Sequence, residues 1–200
     1  MKLLRRKIDN YLKEWKSDKE RMPLIVKGAR QVGKTASILQ FAHDNYQNVV
    51  AINFVLQQKY KAIFEEGYEV DSIIQNLTLI NPSLKIEAGN TLIFFDEMQD
   101  CPACATSLKA FKIDGRYDVI CSGSLMGINY REIESNSVGY KEDYTMHSMD
   151  FEEFLWAKGY DSAFIERLYE KMASITPLSN IEMNVLERLF REYMTIGGMP

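Results

Sequence analysis

Leu24-Ile25-Val26-Lys27-Gly28-Ala29-Arg30-Gln31-Val32-Gly33-Lys34-Thr35-Ala36 is the stretch that decides the fold. Residues 28–35 fill every fixed position of the pattern G-x-x-x-x-G-K-[ST]. A loop that wraps a phosphate closely must aim its backbone N–H groups inward, and glycines permit that backbone shape. The helix that follows offers its positive N-terminal end to the anion. Lys34 is expected to reach the β- and γ-phosphates as a mobile point charge, and Thr35 to give its hydroxyl to Mg²⁺. Gly28, Ala29, Arg30, Gln31, Val32, Gly33, Lys34, Thr35 and Ala36 form the candidate nucleotide-binding set. An apolar run precedes the loop and a helical run through Ala42 follows it, which is the strand–loop–helix context the pattern requires.

Moving outward, Leu92-Ile93-Phe94-Phe95 reads as an apolar strand that closes on Asp96-Glu97. In an open parallel sheet, ligands sit beyond the carboxyl ends of the strands. Adjacent carboxylates there are costly unless a cation or a water network receives them. Successive residues of an extended backbone point to opposite sides, so the two can do different work. Asp96 is expected to hold Mg²⁺ through its waters, and Glu97 to orient and polarise an attacking water as a general base. Asp118-Val119-Ile120-Cys121 is a further strand ending in Ser122-Gly123-Ser124. A hydroxyl there can hydrogen-bond the γ-phosphate or the attacking water, and spacing alone does not choose between Ser122 and Ser124. Gln99 reads equally as a γ-phosphate sensor and as surface polarity. Arg116, Arg131 and Lys141 flank the Ser-Gly-Ser segment. One of them could reach a neighbouring subunit's nucleotide as an arginine finger, although each alone reads as a solvated charge. His43 and His147 have no partner cluster and read as structural.

The rest of the chain alternates strands and helices. Residues 3–16 carry Leu3, Leu4, Ile8, Leu12 and Trp15 at helical spacing. A strand is expected over 49–54, helical patches near 57–66 and 70–80, a helix over 103–112, and a fifth strand over 145–149. This alternation implies a mostly parallel sheet covered on both faces. The last third is helical. Asp150 with Glu153, and Ser179 with Glu182, make capping-box patterns, and Gly159 and Gly197-Gly198 are stops. Ile181, Val185, Leu186, Leu189 and Phe190 make one apolar stripe, and the methionines and aromatics of 151–196 are expected in the core.

Length and composition fit one soluble domain, or one domain and the start of another: 200 residues, 46% hydrophobic and 26% charged. No apolar run reaches membrane-spanning length, and the charged N-terminus lacks a signal peptide's apolar stretch, so the cytoplasm is the expected location. Three cysteines make no disulfide framework, and a lone Cys101-Pro102-Ala103-Cys104 is weak evidence for zinc. Net charge is −4, but residues 1–34 hold 11 Lys+Arg against 4 Asp+Glu, a balance of +7. An anionic ligand accounts for part of this. A nucleic-acid surface on that end, or a solvated helix, accounts equally for the remainder.

KGARQVGKT, the strand-end DEMQ, the SGS segment, DFEEFLWA and the terminal GGMP together resemble the prokaryotic AAA-type P-loop ATPases that carry a nuclease-like domain of unknown function behind the ATPase core. The resemblance covers essentially all 200 residues. It implies an α/β fold with an AAA-type sheet over 1–150 and a small helical lid over 151–200. It also implies Lys34 and Thr35 at the phosphates, Asp96 and Glu97 at Mg²⁺ and water, and a sensor role for Ser122 or Ser124. Many relatives have an arginine after the glycine matching Gly139, where this chain has Tyr140 and then Lys141. Relatives continue past GGMP, so a further C-terminal domain, and through it a DNA or protein partner, is expected beyond the lid. A homo-oligomer is also compatible with the resemblance.

The expected activity is hydrolysis of Mg-ATP to ADP and phosphate, driving or switching a partner. The alternative is a nucleotide-gated module with little hydrolysis of its own. A small-molecule kinase ranks lower, because 151–200 holds only Arg167, Arg188 and Arg191. No N-K-x-D motif supports a GTPase, and the chain has no room for a helicase's second motor core.

Overall fold

The computed structural model describes residues 3–124 and 139–200. Among these residues, five strands form one parallel sheet: β1 (Leu24–Gly28), β2 (Asn48–Asn53), β3 (Thr91–Asp96), β4 (Asp118–Ser124) and β5 (Glu142–Met146). Their order is β2-β3-β4-β1-β5, which places β1 and β3 on either side of β4. The inner strand β3 is buried along its whole length, and the edge strands β2 and β5 are only partly covered.

Alternation of side chains along the strands builds two cores. Odd-numbered residues Ile25, Ile93, Phe95, Val119 and Cys121 join Phe54, Leu108 and Phe111 on one face. That face is covered by α3 (Val70–Ile80) and α4 (Pro102–Asp114). Even-numbered Leu24, Val26, Leu92, Phe94 and Ile120 meet Leu12, Trp15, Ile38 and Phe41 on the other. Its cover is α1 (Lys7–Ser17) and α2 (Lys34–Asn45). The three cysteines are free and buried, with the Cys104 and Cys121 thiols 3.7 Å apart on the odd face.

The structure differs from the expectations in three places. Residues 3–6 are not helical; α1 begins at Lys7, with Arg6 as its N-cap in extended conformation. The last strand is Glu142–Met146 rather than 145–149. As an edge strand it alternates partly covered and exposed positions until Met146, so its apolar signal is weak. The C-terminal helices α5 (Phe151–Ala157), α6 (Ser162–Ala173) and α7 (Asn180–Ile196) have a small core of Phe154, Leu155, Ile165 and Leu189. Much of their remaining apolar surface is uncovered: Ile181 is 77% exposed, Met172 73% and Phe190 49%. The three helices have too little mutual interface to bury a full stripe each, and part of it lines a groove of about 580 Å³ between them. No described helix is long and apolar enough to cross a membrane.

Candidate functional site

The phosphate loop joins β1 to α2 at the carboxyl edge of the sheet. Gly33 caps α2 at φ +97°, a left-handed conformation that side chains resist. Gly28 is needed for a different reason. A Cβ there would stand 2.3 Å from the Met146 carbonyl oxygen, so glycine lets the ends of β1 and β5 close together. Lys34 Nζ donates to the carbonyls of Gly28 at 3.0 Å and Ala29 at 2.7 Å. Burial pushes the Lys34 ammonium's pKa down, and the carboxylates of Glu97 and Asp96 oppose that shift.

Asp96 is the hub of the opposite wall. It is 6% exposed and accepts from the Thr35 hydroxyl at 3.2 and 3.3 Å, from Asn53 Nδ2 at 2.9 Å, from the Glu97 N–H at 3.1 Å, and from the Ser122 hydroxyl. Sheet register explains this convergence. Asn53 pairs with Asp96 across β2 and β3, and Phe95 pairs with Cys121, which sets Ser122 beside Asp96. The even-numbered face that carries Asp96 and Ser122 is the one covered by α2, whose first turn holds Thr35.

Glu97 does not continue the strand alternation. Its φ is +56°, and the backbone turns there into a 3₁₀ segment, Met98–Asp100. The turn, rather than the pleat, separates the two acids and brings Glu97 to the cleft beside Thr35. A non-glycine residue held in this region is a strained feature of the kind that clusters at functional sites. The Gln99 amide donates to the Glu97 carboxylate, and its oxygen accepts from the Ser124 N–H at 3.3 Å. The β4 end thus supports both acids, Ser122 through Asp96 and Ser124 through Gln99.

The resulting cleft encloses about 740 Å³ and is lined by Arg30, Gln31, Gly33, Lys34, Thr35, Ala36, Ser37 and Glu97, with Leu3, Leu4, Arg6 and Pro200 completing it. Its size suits a nucleotide. The facing oxygens of Thr35 and Asp96 are the hard donor chemistry that Mg²⁺ prefers, so the residues present fit that ion.

Sequence reasoning missed Asn53 and Arg6. Arg6 is 4% exposed; it donates to the Val32 carbonyl at 2.6 Å and the His147 carbonyl at 2.8 Å, and pairs with Glu153 at 3.1 Å. The only available signal was a basic residue just ahead of an apolar helical pattern, which is not specific. Of the finger candidates, Arg116 binds Asp114 and Asp71, and Lys141 binds Asp143. Both precede their strands, at the sheet edge opposite the cleft, while Arg131 lies outside the described residues. Among the described residues, four of the eleven cations of the basic N-terminal end stand in ion pairs, Arg6–Glu153, Lys7–Asp150, Arg21–Asp118 and Lys27–Asp143, while Lys13, Lys19 and Arg30 are exposed.

A glycine-bent loop between β1 and α2, facing an acidic end of β3 in a β2-β3-β4-β1-β5 parallel sheet, defines a P-loop nucleotide-binding domain of the ATPase type. The chain belongs to the AAA domain family, whose sequence profile matches residues 20–155. An uncharacterized protein from Haemophilus influenzae is 20% identical over 182 residues, covering 88% of this chain and 39% of its own length. The chain therefore spans about two fifths of that curated relative. Among solved structures, the ORC1 protein of Aeropyrum pernix in complex with DNA has a TM-score of 0.50 at 13% identity, over 79% of this chain and 50% of that one. DnaA from Aquifex aeolicus bound to AMPPCP has a TM-score of 0.47 at 13% identity, over 90% of this chain and 53% of that one. At these identities the likeness to ORC1 speaks for the fold alone.

Proposed function

We propose that this chain binds Mg-ATP and hydrolyses it to ADP and phosphate, and that the change of nucleotide state drives or switches a partner or a further domain. The supporting observation is the convergence of Thr35, Asp96, Ser122, Glu97 and Gln99, which come from three separate segments, on the cleft that holds Lys34. Residues 28–36 would hold the phosphates, with Lys34 exchanging its two carbonyl partners for phosphate oxygens. Thr35 and Asp96 would hold Mg²⁺, which would neutralise charge developing on the phosphate oxygens. Glu97, steadied by Gln99, would accept hydrogen bonding from the attacking water and take up its proton. The exposed apolar side chains of Leu3 and Leu4, with Pro200, give the nucleoside an apolar wall. Helices α5 to α7 would act as a lid over this wall.

The test is phosphate release by the intact chain. Lys34→Ala is expected to abolish nucleotide binding. Glu97→Gln is expected to keep binding and lower turnover at least about a hundredfold, the lower end of the range for loss of a positioned base. Equal turnover in wild type and Glu97→Gln would remove Glu97 from the mechanism.

A second reading is a nucleotide-gated switch with negligible turnover on its own. It is favoured by Arg116 and Lys141, which are tied to carboxylates at the far edge of the sheet. Slow release that a second protein accelerates would support it. Stimulation by DNA would point to a nucleic-acid partner, for which the exposed N-terminal cations Lys13, Lys19 and Arg30 offer a surface.

A further inference from the structure

We infer that Arg6 is a positioning residue for the phosphate grip, fixing the Val32–Gly33 peptide, and that its ion pair with Glu153 makes the grip depend on the seating of α5. The inference rests on the nucleotide-binding reading of the same cleft.

The argument starts from the peptide unit. In a trans peptide the C=O of one residue and the N–H of the next point in opposite directions. A loop that offers N–H groups to an anion must therefore send its carbonyls outward, where each needs a donor of its own. For Val32 that donor is Arg6, at 2.6 Å. Holding this carbonyl outward turns the Gly33 N–H toward the concave side of the loop. Gly33 is the residue least able to hold the peptide by itself, because its φ of +97° comes without a side chain to limit rotation.

The same guanidinium does more than donate once. Its planar fork also spans to the His147 carbonyl, just past β5, and contacts the Glu153 carboxylate. Glu153 is itself 4% exposed and fixed from two sides. It accepts from the Lys7 N–H at 2.6 Å and from the Asp150 N–H at 3.2 Å, the latter closing the α5 capping box. One buried cation thus ties together the N-terminal segment, the phosphate loop, the exit of β5 and the first lid helix. A lysine could not span these partners, since its single ammonium lacks the fork. Movement of α5 would pull on Glu153, and through Arg6 on the peptide that shapes the loop.

A purely structural role would make the pair matter for stability alone. The two roles separate in the double variant Arg6→Met/Glu153→Gln. Methionine fills the volume without a donor, and glutamine keeps one acceptor oxygen for the Lys7 amide, while the Asp150 amide, which met the other carboxylate oxygen, loses its partner. Neither charge is left buried and unpaired, which is the main cost of single replacements. The expected result is a chain that still folds, with a melting temperature lowered by the unpaired Val32 and His147 carbonyls, and with the ADP affinity of the folded chain weakened about tenfold or more, as for loss of a charged hydrogen bond. The ADP-induced downfield shift of the Gly33 amide proton should shrink with it. Arg6→Lys, which retains a cation for Glu153, is the second variant and should weaken ADP binding by a smaller factor.

Wild-type ADP affinity and a full Gly33 shift in both variants would overturn the inference and leave the nucleotide reading standing. A wild-type chain that binds neither ADP nor ATP would overturn the nucleotide reading, and the inference with it.

Discussion

Asp96 accepts four donors from three other segments and its own neighbour, and this makes its hydroxyl partners unequal. The Ser122 hydroxyl is fully buried and spent on Asp96, whereas Ser124 supports Gln99 through its backbone N–H. Ser122→Ala removes a donor from a buried carboxylate and should cost about 1–3 kcal/mol of stability. It should also raise the Mg²⁺ concentration for half-maximal phosphate release, because Asp96 loses one of the contacts that fix its plane. A Mg²⁺ titration of phosphate release checks this, and identical curves for wild type and Ser122→Ala would remove Ser122 from the proposed metal site. The loop and the two acids were legible because their chemistry is written in consecutive residues. Asn53 and Arg6 were not, because their roles arise from strand register and from a fold-back across 26 and 147 residues of chain.

Elements were legible where burial follows a period. The hydrophobic runs of β1, β3 and β4 and the 70–80 helix stand out because both core faces demand apolar residues there. The edge strand β5 and the outer faces of the lid helices were misread, because half-exposed elements tolerate either residue class. The lid compensates with caps. In α7 the Ser179 hydroxyl accepts from the Glu182 N–H, and the Glu182 carboxylate accepts from the Ser179 N–H and from Lys171 of α6. These donors, Lys171 first, hold the Glu182 carboxyl down at about 2 against an ordinary 4.5. A depressed carboxyl contributes stability that is present above its unfolded value and lost as pH falls through its folded one. The α6–α7 joint should therefore weaken between about pH 4.5 and 2, and Glu182→Gln should remove that part of the acid response. Far-ultraviolet circular dichroism across this range checks it. At the other end of the fold, Gly28→Ala would drive a methyl group against the Met146 carbonyl, at 2.3 Å, and must part β1 from β5. Its melting temperature should fall well below wild type even without nucleotide, in contrast with a substitution that only touches phosphate.

At the scale of the whole molecule, the cleft is where the segment before α1 and the segment after α7 meet. Leu3, Leu4 and Arg6 reach it from one end and Pro200 from the other, while the Met149 N–H donates to the Gly198 carbonyl at 2.6 Å. The Tyr193 hydroxyl of α7 donates to the Met149 carbonyl at 2.8 Å. Arg5, over the Trp156 ring and hydrogen-bonded to Ser162, adds a further tie between core and lid. Ligand bound among these segments should therefore stabilise core and lid together rather than the loop alone. At a free ADP concentration of a hundred times Kd, linkage supplies about 2.7 kcal/mol. For a chain of this size, that corresponds to a rise in Tm of roughly 5–11 °C. The two tryptophans report on the two parts separately, Trp15 from the core helix α1 and Trp156 from the lid helix α5. Trp156→Phe leaves the core reporter and Trp15→Phe the lid reporter. With ADP, both should melt at one raised temperature. A lid that melts early and does not respond to ADP would mean that the segment joining Met149 to Gly198 carries no coupling. Gly198→Ala, whose Cβ would meet the Met149 carbonyl at 2.3 Å, should produce that separation on purpose, lowering the Trp156 transition while Trp15 still responds to nucleotide.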